Sequence, residues 1–166
     1  IGHGNGVLRL GADGSQAHTL PGNTVAPILQ VGDDIWALAK QRGSETNRIM
    51  IHRDGEWQPL GGLKQQVVDL FVDSKGTVWA TLDGNGVLQI DPAKGAEAGI
   101  PHLEGFNVTT VSEDNRGQIW CGLWSRGVAV YDDTQWSKHL TNLKDSAILA
   151  IRQDRKGNMW LATSAN

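Results

Sequence analysis

The stretch DSKGTVWATLDGNGVLQID, residues 73–91, decides how the chain is read. Asp73 and Gly76 bracket a tight turn, in which the carboxylate can bond backbone just ahead of it and the glycine accepts a positive φ. TVWATL is β-branched and aromatic, which suits a buried, pleated strand. DGNG is a hairpin signal, and VLQID is strand again. The same order recurs. VAPILQVGDDIWALA (25–39), VTTVSEDNRGQIWCGL (108–123) and ILAIRQDRKGNMWLAT (148–163) align with it, and the repeat tryptophans Trp36, Trp79, Trp120 and Trp160 are 43, 41 and 40 residues apart. A glycine–aliphatic element recurs as GNGVLRL (4–10), GNGVLQI (84–90) and RGVAVYD (126–132).

A period near 40 made of short strands predicts the blade of a β-propeller rather than a helical solenoid. In residues 67–107, VVDLFVD, TVWATL and VLQID give three strands, and a fourth is expected in the stretch ending PHLEG. Fourth strands are clearer as EWQPL (56–60) and QWSKHL (135–140), whose polar content suits an outer edge facing water. No helix is needed. The predicted fold is all-β: four-stranded antiparallel blades, about four repeats, as a segment of a larger ring. The units are 25–66, 67–107, 108–147, and a split unit of 148–166 plus 1–24. Such a chain starts at a third strand and stops after a second. It is expected either to join its ends into a composite blade, within one chain or between two, or to be a window on a longer propeller.

Composition narrows the function classes. The 166 residues carry a net charge of −3 with scattered Lys and Arg, so no basic stripe points to nucleic acid. No stretch approaches the ~18 apolar residues of a membrane span. With one cysteine there is no intrachain disulfide framework. Seven tryptophans against one tyrosine and two phenylalanines mean that tryptophan has a positional role.

The pattern aliphatic-x-x-aliphatic-x-x-D-x-x-G-x-aliphatic-W, then G-aliphatic, resembles the two-component regulator propeller repeat. DNRGQIWCGLWSRGVAVYD (114–132) and DRKGNMWLAT (154–163) carry the resemblance best, whereas 25–66 lacks the D-x-x-G turn and has AKQRGSETNR in place of the second hairpin. The resemblance implies the periplasmic sensor region of hybrid histidine kinases and some diguanylate cyclases. It also implies a homodimer in the parent protein and no catalysis in this segment. Two patterns are excluded: the sialidase Asp-box has one residue between Asp and Gly where this chain has two, and no Trp-Asp dipeptide of the intracellular scaffold repeat occurs. A streptogramin lyase-like or hydrolase propeller, and a structural spacer, remain as alternatives.

Four tryptophans, Trp36, Trp79, Trp120 and Trp160, are read as packing between blades. Cys121, which follows one of them, is read as a small core residue. The acidic turns at Asp73, Asp114 and Asp154 offer too few oxygens for calcium and are read as turn formers. The five histidines show no metal-ligand spacing, and no metal or cofactor is expected. GHGNG (2–6) is followed by VLRL rather than a helix, so it is a hairpin and not a phosphate loop.

A ligand is expected on the face that carries the strand 2–3 hairpins and the blade-to-blade loops, because variable chemistry sits there on a repeating scaffold. The candidates are His3 and Asn5; Arg42; Asp83 and Asn85; and Trp124 and Arg126. Gln65, Gln66 and Asn107 lie in adjoining connections. Trp124 beside Arg126 could stack on a sugar and hold a carboxylate, or could pack between blades. The expected partners are a small polar ligand or carbohydrate, and further propeller blades or a second chain.

Overall fold

The computed structural model describes residues 6–139 and 146–164. The chain runs β1 (Val7–Leu10), β2 (Gln16–Thr19), β3 (Asn23–Val31), β4 (Asp34–Gln41), β5 (Asn47–Arg53) and β6 (Glu56–Pro59). It continues through β7 (Val67–Val72), β8 (Val78–Leu82), β9 (Val87–Ile90), a 3-10 turn (Ala96–Ala98) and β10 (Ile100–His102). The remainder is β11 (Val108–Glu113), β12 (Ile119–Leu123), β13 (Gly127–Tyr131), β14 (Trp136–His139), β15 (Ile148–Gln153) and β16 (Met159–Thr163).

These strands form three four-stranded sheets in chain order, β3–β6, β7–β10 and β11–β14, with two-stranded sheets β1–β2 and β15–β16. All pairs are antiparallel, so each four-stranded sheet is a meander and a propeller blade, here called blades I, II and III. Every first strand has a register irregularity at the same place: between Val25 and Ile28, Val67 and Asp69, Val108 and Thr110, and Ile148 and Ala150. A bulge there adds local twist to each inner strand.

The core lies between blades. Trp36 and Leu38 of blade I pack with Val67 and Leu70 on β7. Trp79 packs with Val108 and Val111 on β11, and Trp120 packs against Ile148 and Ile151 on β15. Trp36, Trp79 and Trp120 are thus each covered by the first strand of the next unit. Burying an indole takes roughly 200 Å2 out of water, worth about 5 kcal/mol gross. Trp160 differs: its side is covered by no further strand in this structure, and it is 66% exposed.

Blade III and the β15–β16 sheet approach closely at Gly122, where an added Cβ would lie 2.7 Å from the Ile148 Cβ and 2.8 Å from the Thr110 side chain. Both neighbours are β-branched and hard to move. Gly122→Ala is expected to cost about 1–3 kcal/mol, read as a lower urea midpoint. Among the described residues, the two halves of the split unit, β15–β16 and β1–β2, share no hydrogen-bonded edge.

Candidate functional site

The turn motif has a second bond that its spacing did not reveal. Asp73 Oδ1 accepts the N–H of Lys75 (3.0 Å) and Thr77 (2.8 Å), and Oδ2 accepts the Trp79 indole N–H at 2.9 Å. Asp114 does the same with Arg116, Gln118 and Trp120, at 2.9, 3.0 and 3.1 Å. Asp154 repeats it with Lys156, Asn158 and Trp160, at 2.9, 2.9 and 3.0 Å. The acidic residue of the repeat is therefore a clamp that closes its own turn and fixes the indole six residues later. At Asp114 and Asp154 these donors favour the ionised carboxylate. The Trp160 indole, with Asn158, holds the Asp154 carboxyl down at about 2. At Asp114 burial opposes ionisation, yet the N–H groups of Gln118 and Arg116 and the Trp120 indole outweigh it and keep the carboxyl below its usual range.

Blade I lacks the clamp. Its turn is the two-residue Gly32–Asp33, with Val31 paired to Asp34, so an apolar side chain occupies the register of Asp73. The Trp36 indole N–H is buried without a partner as a result. Trp36→Phe removes that orphan donor. It is expected to cost at least 1 kcal/mol less than Trp79→Phe, which strands a buried carboxylate oxygen, in matched denaturation curves.

On the opposite loop face a different backbone bond repeats. The N–H of Arg42 donates to Gly22 O (2.9 Å), that of Asp83 to Gln66 O (2.9 Å), that of Trp124 to Asn107 O (2.9 Å) and that of Ser164 to Ala147 O (3.0 Å). A cation, an anion, an indole and a hydroxyl thus head the same loop in successive blades. The backbone is constant and the side chain varies.

The candidate residues that are described are not gathered into one pocket. Trp124 is 52% exposed, so it is not buried between blades, and its backbone forms a lone β-bridge to Ala147. Arg126 turns to the Phe106 ring, 5.2 Å from its centroid, where the Lys138 ammonium also lies at 4.5 Å. Asn85 Oδ1 accepts the Gly105 N–H at 3.0 Å. His3 and Asn5 lie outside the described residues. The Thr109 hydroxyl of the NVT stretch donates to the carbonyls of Gly122 and Ile148 and belongs to the joint between blade III and the β15–β16 sheet.

One concavity carries convergent chemistry. A groove of about 790 Å3 opens between the connection from blade I to blade II and the outer half of blade II. Its floor is Leu63, Leu82 and Leu88, and its rim holds Lys64, Gln65, Asn85, Glu97 and Glu104. The volume is in the range of small-molecule sites, and an apolar floor with a few polar groups is their usual build. The insertion that creates the outer wall is the 3-10 turn Ala96–Ala98, which buries Ala96 in the blade I–II core. Glu97 comes so close to Gly62 that a Cβ there would sit 2.3 Å from its Cγ, at a φ of +81°. Among the described residues no group of His, Cys, Asp and Glu could hold a metal ion. Cys121 is fully buried, and burial pushes its thiol up, out of reach of ionisation at neutral pH.

Sequence spacing gave no sign of the His102 network. The Trp136 indole N–H donates to His102 Nδ1 at 3.1 Å, which leaves the ring proton on Nε2 facing Gln89 Oε1 at 2.9 Å. Trp79, Tyr131 and Trp136 surround the imidazole at centroid distances of 5.5, 5.1 and 5.6 Å. Burial lowers the His102 pKa. The unfolded chain therefore binds this proton more readily than the native one, and stability falls as pH drops below about 6.5. His102→Phe is expected to flatten that part of the stability profile between about pH 7 and 5, measured by urea titration at each pH.

The meandering blades define the chain as a β-propeller. The model of the two component regulator propeller family matches residues 142–165. No curated protein sequence matches the chain. Among solved structures it is similar to an extracellular domain from B. thetaiotaomicron assigned to a one component system, at 19% identity and a TM-score of 0.69, covering 96% of this chain and 24% of that one. An extracellular domain from the same organism assigned to a hybrid two component system gives 15% and 0.69, covering 97% and 23%. Virginiamycin B lyase from Staphylococcus aureus gives 14% and 0.67, covering 93% and 55%. The chain thus spans about a quarter of the first two. At these identities the likeness is one of fold.

Proposed function

We propose that this chain is part of an extracytoplasmic sensor propeller of a two-component signalling protein, the histidine kinase type being favoured, and that it binds a small polar ligand without catalysing a reaction. The observation that carries the reading is the groove of about 790 Å3 on the blade I–II joint. One cation, two carboxylates and two amides rim an apolar floor there, which suits a compact ligand bearing hydroxyl, amine or carboxylate groups. Carbohydrate is one such class. The repeat family and the extracellular likenesses support the signalling context. Among the described residues no helix is long and apolar enough to cross a membrane.

A groove built across two blades also provides a route for the signal. A ligand that touches both Lys64 on the connection and Glu97 on blade II favours one blade I–II packing over another, and only such differential contact can shift a conformational equilibrium.

The test is a thermal-shift screen of neutral, amino and acidic mono- and oligosaccharides and of free amino acids against four chains: wild type, Lys64→Glu, Glu104→Lys and Trp124→Ala. A ligand at about a hundred times its Kd adds about 2.7 kcal/mol, a rise of several degrees for a domain of this size. The reading expects that rise in the wild type and Trp124→Ala and its loss in the two groove variants. A rise lost only in Trp124→Ala moves the site to blade III. No rise with any probe contradicts the proposal.

A further inference from the structure

Two cations share one aromatic ring on the joint between blades II and III. The Arg126 guanidinium lies 5.2 Å from the Phe106 ring centroid and the Lys138 ammonium 4.5 Å from it. An aromatic face attracts each cation, but two like charges at one ring repel each other. No carboxylate relieves them. Among the described residues the ion pairs are Arg53–Asp34, Lys75–Asp133, Lys94–Asp91 and Arg116–Asp114. The Arg126 and Lys138 side chains make no hydrogen bond there either, and their only partner is the ring. Glu104, in the same connection as Phe106, lines the groove of the blade I–II joint and pairs with neither.

The backbone beneath these charges is fixed. The Phe106 N–H donates to Leu103 O at 3.0 Å, and its carbonyl accepts the Gly86 N–H at 2.7 Å. Its ring packs against the blade II–III core. The hairpin that carries Arg126 is tied on two sides, by the Trp124 N–H to Asn107 O and the Ser125 N–H to Ser146 O, each at 2.9 Å. Lys138 lies within β14, paired with Ala129 on β13. Both charged side chains are exposed.

Neither cation belongs to the repeat. Arg126 stands before the hairpin glycine Gly127 where blade II has Asn85 before Gly86. At the register of Lys138 blades I and II both have proline, Pro59 and Pro101. The blade therefore forms without either charge, and a departure of this kind on a repeating scaffold marks a place free to serve binding.

We propose that Arg126 and Lys138 bind the oxyanion of a small ligand, a carboxylate, sulfate or phosphate group, at a site separate from the groove. The planar guanidinium presents parallel N–H donors that match two oxygens of such a group, and the ammonium supplies a second charge. The anion takes the place of the missing carboxylate and removes the repulsion at the ring. Trp124, on the same hairpin, is 52% exposed and open to the rest of the ligand.

Titration of the whole chain at constant ionic strength, followed by nitrogen–proton correlation spectra, tests this. The probes are inorganic phosphate, inorganic sulfate and galacturonate, with chloride and neutral galactose as controls. Saturable shifts are expected at the amides of Gly105, Ser125, Arg126 and Lys138 with at least one oxyanion, and with neither control. The tightest of the three probes assigns the oxyanion. Arg126→Gln and Lys138→Gln are each expected to raise its Kd about fivefold or more, whereas Lys40→Gln, which removes an exposed charge on blade I, leaves it unchanged. If Arg126→Gln fails to fold, Lys138→Gln reads the site alone. Shifts that do not saturate, that chloride reproduces, that persist undiminished in the Gln variants, or that centre on Lys64 and Glu97 in the groove would each overturn the proposal.

Discussion

Asp73→Ala is expected to lower stability by about 3–4 kcal/mol, the cost of removing a buried charged acceptor and stranding its donors. Three N–H groups lose their acceptor at once: those of Lys75 and Thr77, and the indole of Trp79. The indole is the costly one. Trp79 is 1% exposed and Asp73 9%, so water cannot replace the lost bond without opening the joint between blades II and III. Asp154→Ala removes the equivalent bonds, and one from the Asn158 amide, at an exposed position with Trp160 at 66% exposure, and is expected to cost clearly less because water can replace them. The gap between the two variants in urea denaturation separates the clamp from the turn. If the two variants lose equal stability, the buried indole bond is not what holds the joint.

Gly86→Ala should be still more damaging, about 4 kcal/mol or more, or should prevent blade II from closing. An added Cβ would sit 2.1 Å from His102 O and 2.4 Å from Leu103 O, at a φ of +76°. Both obstacles are backbone, so no side chain can step aside. The glycine N–H also donates to Phe106 O at 2.7 Å, which ties the hairpin to the connection from β10 to β11. Gly76 is the control, because it has a φ of +82° but open space around it. Gly76→Ala should carry only left-handed strain, about 1–2 kcal/mol. Because Gly86 adjoins Asn85 on the rim of the groove, any Gly86→Ala protein that does fold should also lose the ligand-induced rise in melting temperature.

What could be read from the residues follows from what repeats. The forty-residue spacing of Trp36, Trp79, Trp120 and Trp160 and the D-x-x-G turns specify strands, hairpins and blade class, because local turn chemistry and strand propensity agree there. The Asp–indole bond was less legible. It joins residues six apart across a hairpin, and no propensity or period reports a side-chain bond of that kind. The groove was hidden for a different reason. It depends on the Ala96–Ala98 insertion folding back toward Gly62, a non-repeating contact. Of the candidate residues that are described, only Asn85, with Gln65 of the adjoining connections, lines it. The pairing of Trp124 with Arg126 was suggested by adjacency, whereas the backbone at Ser125 has a φ of +57° and Arg126 lies over Phe106. His102 looked isolated in sequence because both of its hydrogen-bond partners, Gln89 and Trp136, are distant along the chain.

The central claim is that the repeat is a carboxylate–indole clamp buried by the next blade. Hydrogen exchange of the tryptophan indole N–H groups, followed by nitrogen–proton correlation spectra, tests it most directly. The account predicts slow exchange at Trp79, whose N–H is bonded and buried, and fast exchange at Trp124, which is half exposed. It also predicts that Asp73→Ala shifts and deprotects the Trp79 signal while leaving that of Trp36 in place. A Trp79 indole that exchanges as fast as that of Trp124 in the wild-type chain would contradict it.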